Sequence, residues 1–138
     1  MYYGKDGELT SYNNDKYAIQ KDEYDERGYI VRTSYYGKDK QLVVSNEGWA
    51  SSTREYDVLG NVLKQSFFGI DGKPTDPKVM VPEGLCRYDR WGNRIYLAAG
   101  DGKGHLIINP KTGWSIQKSE YNSRGKLLSE AYFDENEK

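Results

Sequence analysis

One histidine, one cysteine and a set of regularly placed acids are the side chains of this sequence that could do chemistry. His105 would need a second imidazole or a patterned nucleophile to build a hydrolytic triad or a usual zinc site, and neither accompanies it. It reads as a strand or loop residue beside Gly102-Lys103-Gly104. Cys86 next to Arg87 could be an activated thiolate, but a lone cysteine more often packs as a small apolar residue. It has no partner for an intramolecular disulfide, so cysteine usage leaves the redox compartment open. Asp25, Asp57 and Asp89 recur and raise the idea of calcium, which needs roughly six to eight converging oxygens. Each of these segments offers only one or two carboxylates, and Asn122 stands in the fourth place. Glu23, Glu55 and Glu120 could pair as glycosidase carboxylates, yet their regular placement points to cross-strand partners of Lys or Arg. No catalytic constellation and no cofactor or metal site emerges, and a non-catalytic protein is expected.

What places these residues is a repeat. Tyr24-Asp25-Glu26-Arg27-Gly28 returns as Tyr56-Asp57-Val58-Leu59-Gly60, as Tyr88-Asp89-Arg90-Trp91-Gly92 and, with one change, as Tyr121-Asn122-Ser123-Arg124-Gly125. The spacings are 32, 32 and 33 residues, a period that marks a repeat architecture. Each box is followed by a strand-length stretch: Tyr29 to Tyr36, Asn61 to Phe68, Asn93 to Gly100 and Lys126 to Phe133. Three of these end in an aromatic pair, and the third copy ends in Ala-Ala-Gly instead. A second turn then follows, as in Gly4-Lys5-Asp6-Gly7, Gly37-Lys38-Asp39-Lys40 and Gly69-Ile70-Asp71-Gly72. Apolar patches come next (Leu42-Val43-Val44, Val79-Met80-Val81, Leu106-Ile107-Ile108). Gly48-Trp49-Ala50 and Gly113-Trp114-Ser115 lead into the next box, with Tyr17-Ala18 in the same place before Tyr24 and Val81-Pro82-Glu83-Gly84 departing from it.

The organisation is therefore a single array over residues 1–138: a partial unit 1–23, units 24–55, 56–87 and 88–120, and a partial unit 121–138. Tyr2-Tyr3-Gly4 aligns with Tyr35-Tyr36-Gly37, so the chain opens partway through a unit, and a window of a longer array is the expectation.

Asp-x-x-Gly between alternating and aromatic residues is a hairpin signal. Asp25, Asp57, Asp89 and Asn122 can accept hydrogen bonds from the turn backbone, and Gly28, Gly60, Gly92 and Gly125 can take the left-handed conformation that closes it. The intervening segments are of strand length, rich in β-branched and aromatic residues, and none carries a capped helical stripe. The fold expected is all-β: tandem hairpins in an antiparallel meander or solenoid-like sheet, with almost no helix. Neither face of the strands is purely apolar, so both are expected to be partly wet. Pro74, Pro77 and Pro82 make the segment between the second and third boxes the loosest.

Composition agrees with a thin fold. Hydrophobic residues are 36% and charged residues 30% of the chain, and the mean hydropathy is −0.91. Against that polar background stand 13 Tyr, 3 Trp and 3 Phe, which bury area at low rotamer cost. The net charge is −1 with both signs interspersed, leaving no basic tract for nucleic acid. No apolar run reaches membrane-span length, and no signal-peptide pattern opens the chain.

The YDxxGN form of the boxes at 56–61 and 88–93 resembles the YD-repeat (RHS-like) family. The likeness runs across nearly the whole chain through short periodic matches, although the unit here is longer than the family's usual one and adds the Gly-Trp element. The resemblance implies a bacterial surface or secreted protein, with teneurins as animal relatives, whose β-hairpins enclose a cargo or present an adhesive surface. A weaker likeness links the chain to Gly-, Trp- and Tyr-rich cell-wall-binding repeats, whose aromatics hold choline or glycan.

The aromatics are the candidate contact residues. Trp49, Trp114 and Tyr17 share one repeat position, and Tyr35 and Tyr36 belong to the aromatic-pair position. Such side chains form either a core ladder or a platform for sugars and extended peptides. Trp91 sits inside a turn where the repeat does not require it, a placement typical of contact residues. The expected partners are protein or adjacent repeats, with glycan as the alternative and self-association through edge strands as a further expectation.

Overall fold

The computed structural model describes residues 18–78 and 80–138. Tyr17, the turn at 4–7 and the aromatic pair at 2–3 lie outside the described residues, as does Val79. The protein is all-β. Among the described residues eight antiparallel strands follow one another in a meander: β1 (Ile19–Tyr24), β2 (Ile30–Tyr36), β3 (Ser51–Tyr56), β4 (Val62–Phe68), β5 (Glu83–Tyr88), β6 (Arg94–Gly100), β7 (Ile116–Tyr121) and β8 (Leu127–Phe133). The sheet is not closed into a barrel, and there is no helix among the described residues. Each box closes one hairpin, joining β1 to β2, β3 to β4, β5 to β6 and β7 to β8.

The turns form because an acid and a glycine divide the work. In the first, the Gly28 amide donates to the Asp25 carbonyl at 3.0 Å, while Asp25 Oδ1 accepts the amides of Arg27 and Tyr29 at 2.9 and 3.0 Å. Gly28 holds φ at +89°, a conformation any Cβ would strain. The next residue then rejoins the ladder with a bulge: Glu23 faces Arg32, but Tyr24 faces Ile30. The same shift recurs at Arg87/Tyr88 and Glu120/Tyr121. It adds twist at the same point of each of these hairpins.

The chain divides into two compact units, one holding the described residues up to Arg54 together with Phe67–Thr75, the other Glu55–Ser66 with Asp76–Lys138. In the first unit, β2 meets β3 with Arg32 opposite Thr53, Thr33 opposite Ser52 and Ser34 opposite Ser51. In the second unit, β4 meets β5 with Lys64 opposite Leu85, and β6 meets β7 with Tyr96 opposite Lys118. These are equivalent positions of the repeat, so the seams between hairpins share one register. After β2, β4 and β6 the chain turns back, and Leu42, Pro74 and Leu106 bridge to Tyr36, Phe68 and Gly100. The segment after β4, where the prolines cluster, carries an Asp76 turn whose carbonyl accepts the Met80 amide at 3.0 Å.

The core combines small residues with a few large ones, Ile116, Trp49 and Tyr35. Ala18, Ala50 and Ser115 are fully buried at one repeat position, and Pro82, at the same position in the third unit, is also fully buried. Around them, Thr33, Ser34, Ser51, Ser52 and Ser66 are buried along the seams. Small hydroxyl residues let backbones approach closely where an aliphatic core would hold them apart. Enlarging this position overpacks it: Ala50→Leu is expected to cost about 1–3 kcal/mol, read by denaturant unfolding, and a variant as stable as the parent would contradict the packing described.

Candidate functional site

Among the described residues two aromatic stacks arise from the repeat, one in each unit. In the first, the Trp49 ring lies 4.9 Å from Tyr35 and 5.5 Å from Phe67, tilted against both. The chain reaches this position through Ser45 to Trp49, where the Ser45 amide and hydroxyl both donate to the Trp49 carbonyl and Gly48 is left-handed at φ +100°. Trp49 and Tyr35 retain 6% and 9% exposure, and the indole N–H donates to Glu47 at 3.1 Å. This stack is core, holding one hairpin against the next. Tyr36 is half-buried on the strand beside it.

In the second unit Trp114 stands 5.2 Å from Tyr132. Trp114 is half-buried, and Tyr132 is 51% exposed. On its other side the repeat offers Ala99, because the third copy lacks the aromatic pair. The reason lies opposite: Glu83 pairs with Gly100 where Ile116 pairs with Phe133. A Cβ on Gly100 would stand 3.1 Å from Glu83 Oε1. The buried carboxylate of Glu83 is held by Lys64 Nζ at 3.5 Å and by the Ser66 hydroxyl at 3.5 Å. The acid and the missing aromatic pair are thus two sides of one local change.

The turn tips form a separate surface. Within the second unit the turns at 57–60, 89–92 and 122–125 each join neighbouring strands and fall on one margin of the meander. Val58 and Leu59 are strongly exposed there, and Trp91 is exposed with the Arg90 guanidinium 4.8 Å above its ring. Sequence reasoning singled out Trp91 but missed Val58 and Leu59. The signal was available, since apolar residues at the two middle positions of an Asp-x-x-Gly turn have nothing to pack against.

The box tyrosine Tyr88 has a role the sequence did not reveal. The Tyr88 hydroxyl donates to the Val62 carbonyl at 2.7 Å, tying β5 to the preceding hairpin. Burial, and then the neighbouring Cys86, raise its phenol above the ordinary value.

The remaining polar residues sit in the turns and along the strand edges. His105 Nδ1 lies 3.2 Å from Asp101 Oδ2 in an exposed turn that repeats the box geometry. Cys86 is half-buried with a free thiol. Glu23 faces Arg32 at 3.9 Å and Glu55 faces Lys64 at 3.8 Å, exposed pairs of small energetic weight. Among the described residues no group of three or more His, Cys, Asp or Glu side chains is placed to hold a metal ion. No family model matches the chain, and no curated protein matches it.

The turn carboxylates carry a pH dependence. Asp57 is held below the usual carboxylate value by the Asn61 amide, against an opposing effect of burial, with the Asn61 side chain and the Leu59 amide adding to the lowering. For Asp89, burial opposes, and the hydrogen bonds from Asn93 and the Trp91 amide prevail. A depressed folded-state value stabilises above the ordinary one, and that stability is lost as the pH falls through the depressed value. The thermal midpoint is expected to hold from neutral pH to about pH 4 and to fall below it. Asp57→Ala is expected to lower the midpoint by a few degrees at neutral pH, and Asp57→Asn by less, since Asn122 already closes one turn. Thermal circular dichroism of both variants across this range checks the order.

Proposed function

We infer that this chain is a non-catalytic structural and interaction repeat segment, working through protein–protein and repeat–repeat contacts. The observation that carries this reading is the seam register, the same from hairpin to hairpin within the units described. Side chains hold one repeat to the next across these seams: Trp49 between Tyr35 and Phe67, and Tyr88 on the Val62 carbonyl. The exposed tips Val58, Leu59 and Trp91 supply the apolar row that a protein partner would cover. The proposal includes a setting at a bacterial surface or in a secreted protein, which the resemblance to YD-repeat proteins implies.

A second reading, binding of a cell-wall glycan, has one observation in its favour. Trp114 and the exposed ring of Tyr132 form a tilted aromatic pair, partly open to solvent. Sugar faces stack on such rings. The seams favour the first reading because their register recurs in both compact units, whereas this pair is confined to one.

Repeat arrays gain stability with each added unit through intrinsic and neighbour terms. A chain carrying residues 24–55 twice in tandem is therefore expected to unfold at a higher denaturant midpoint than the parent, and an unchanged or lower midpoint contradicts the reading. Titration with wall polysaccharides is expected to leave tryptophan fluorescence unchanged; saturable quenching abolished by Tyr132→Ala would favour the glycan reading instead.

A further inference from the structure

We propose that the three box turns of the second unit form a docking row for an extended, acidic segment of a protein partner held in the polyproline II conformation. The inference rests on the interaction reading above and gives the partner's chemistry and the residues that meet it.

The row lies inside one unit, and its members are adjacent. Two contacts tie the turns at 57–60, 89–92 and 122–125 together. Tyr88, just before its turn, donates its hydroxyl to the Val62 carbonyl at 2.7 Å, and a Cβ on Gly125 would stand 3.9 Å from Asn93 Oδ1. The tips are open because a turn directs them outward. Trp91 belongs to a hairpin paired with β4 on one side and β7 on the other, and it is still 47% exposed. Val58 and Leu59 are 91% and 71% exposed. Arg124 holds the turn position of Leu59 and Trp91, and it too is exposed.

The chemistry of the tips is apolar and basic. The two central positions of the three turns hold Val58, Leu59, Arg90, Trp91, Ser123 and Arg124, with no acid among them. Among the described residues neither Arg90 nor Arg124 forms an ion pair, whereas Arg27 in the first box is tied to Asp25 at 3.4 Å. The acids of these turns face their own backbone. Oδ1 of Asp57 and of Asp89 each accepts two amides, and Oδ2 of each accepts an asparagine side chain. What points outward is therefore complementary to a segment that is both apolar and acidic.

The spacing sets the conformation. Successive box turns are two strand spacings apart, roughly 10 Å. A polyproline II segment rises about 3.1 Å per residue with about three residues per turn, so every third side chain returns to the same side after roughly 9 Å. A β-strand alternates sides and would turn its third residue on away from the row. An α-helix docks along a continuous groove, whereas the glycine beside each tip leaves separate points of contact. An apolar first residue meets Val58 and Leu59, and a proline at the fourth position lies on the Trp91 ring, which Arg90 already covers from one face. A carboxylate at the seventh position reaches Arg124.

The probe is a proline peptide with leucine at its first and glutamate at its seventh position, used with its reversed sequence because both chain directions give one spacing. Titrated into the full chain, at least one of the two is expected to bind saturably and to shift the Trp91 indole proton resonance. Replacing the glutamate by lysine, or moving it to the sixth position, is expected to weaken binding about fivefold. Trp91→Ala and Leu59→Ser are each expected to weaken it further while keeping the parent's thermal midpoint. Arg124→Glu is expected to reverse the preference and favour the lysine peptide. Neither peptide binding overturns the proposal, as does binding that none of the three substitutions alters. Equal affinity for the sixth-position peptide overturns the three-residue spacing. A single-stranded oligonucleotide that shifts the Trp91 resonance where the peptides do not would mark a nucleic-acid surface and overturn it too. A failed tandem duplication would instead remove the repeat reading itself, so the two failures are distinguishable.

Discussion

An aspartate or asparagine oxygen accepting two backbone amides, with a left-handed glycine three residues on, is the constraint from which the other features follow. It recurs at Asp25, Asp57, Asp89 and Asn122 with donor distances between 2.9 and 3.0 Å. Because the turn has one geometry, the bulge falls at one place in the hairpins whose register is defined. Because the bulge is fixed, the same side chains face the same side in these hairpins. The seams between hairpins then reuse one register, and the side chains at a given repeat position meet equivalent neighbours.

The interior that results differs from an aliphatic core. Ala18, Ala50, Pro82 and Ser115 fill one fully buried repeat position, serines line the seams, and Trp49 spans from one hairpin to the next. A polar chain with a mean hydropathy of −0.91 can fold this way because backbone pairing and a few large rings supply what bulk apolar area does not.

Much of the fold was legible from spacing alone. The four boxes marked the hairpin turns, and the stretches after them marked β2, β4, β6 and β8 to within a residue or two. The strands before the boxes were harder to see. Ser51–Tyr56 is polar throughout yet buried at its start, and only the pairing partner explains that. The second turn was read from Asp-Gly, but Lys40 and Glu137 adopt positive φ without glycine at 65° and 62°, so turn context overrode residue preference. The candidate site was less legible than the fold. Tyr35 and Tyr132 occupy one repeat position, and one is core while the other is open. Glu83 opposite Gly100 is likewise a pairwise substitution across strands, invisible to a reading along the chain.

The central claim is that equivalent residues meet at every seam. Cross-strand Hα–Hα contacts in nuclear magnetic resonance test it most directly, because non-hydrogen-bonded antiparallel pairs bring the two α-protons together. The account predicts such contacts between Arg32 and Thr53, Lys64 and Leu85, and Tyr96 and Lys118, one for each seam. A contact displaced by one residue at any of the three, or absent from it, would contradict it.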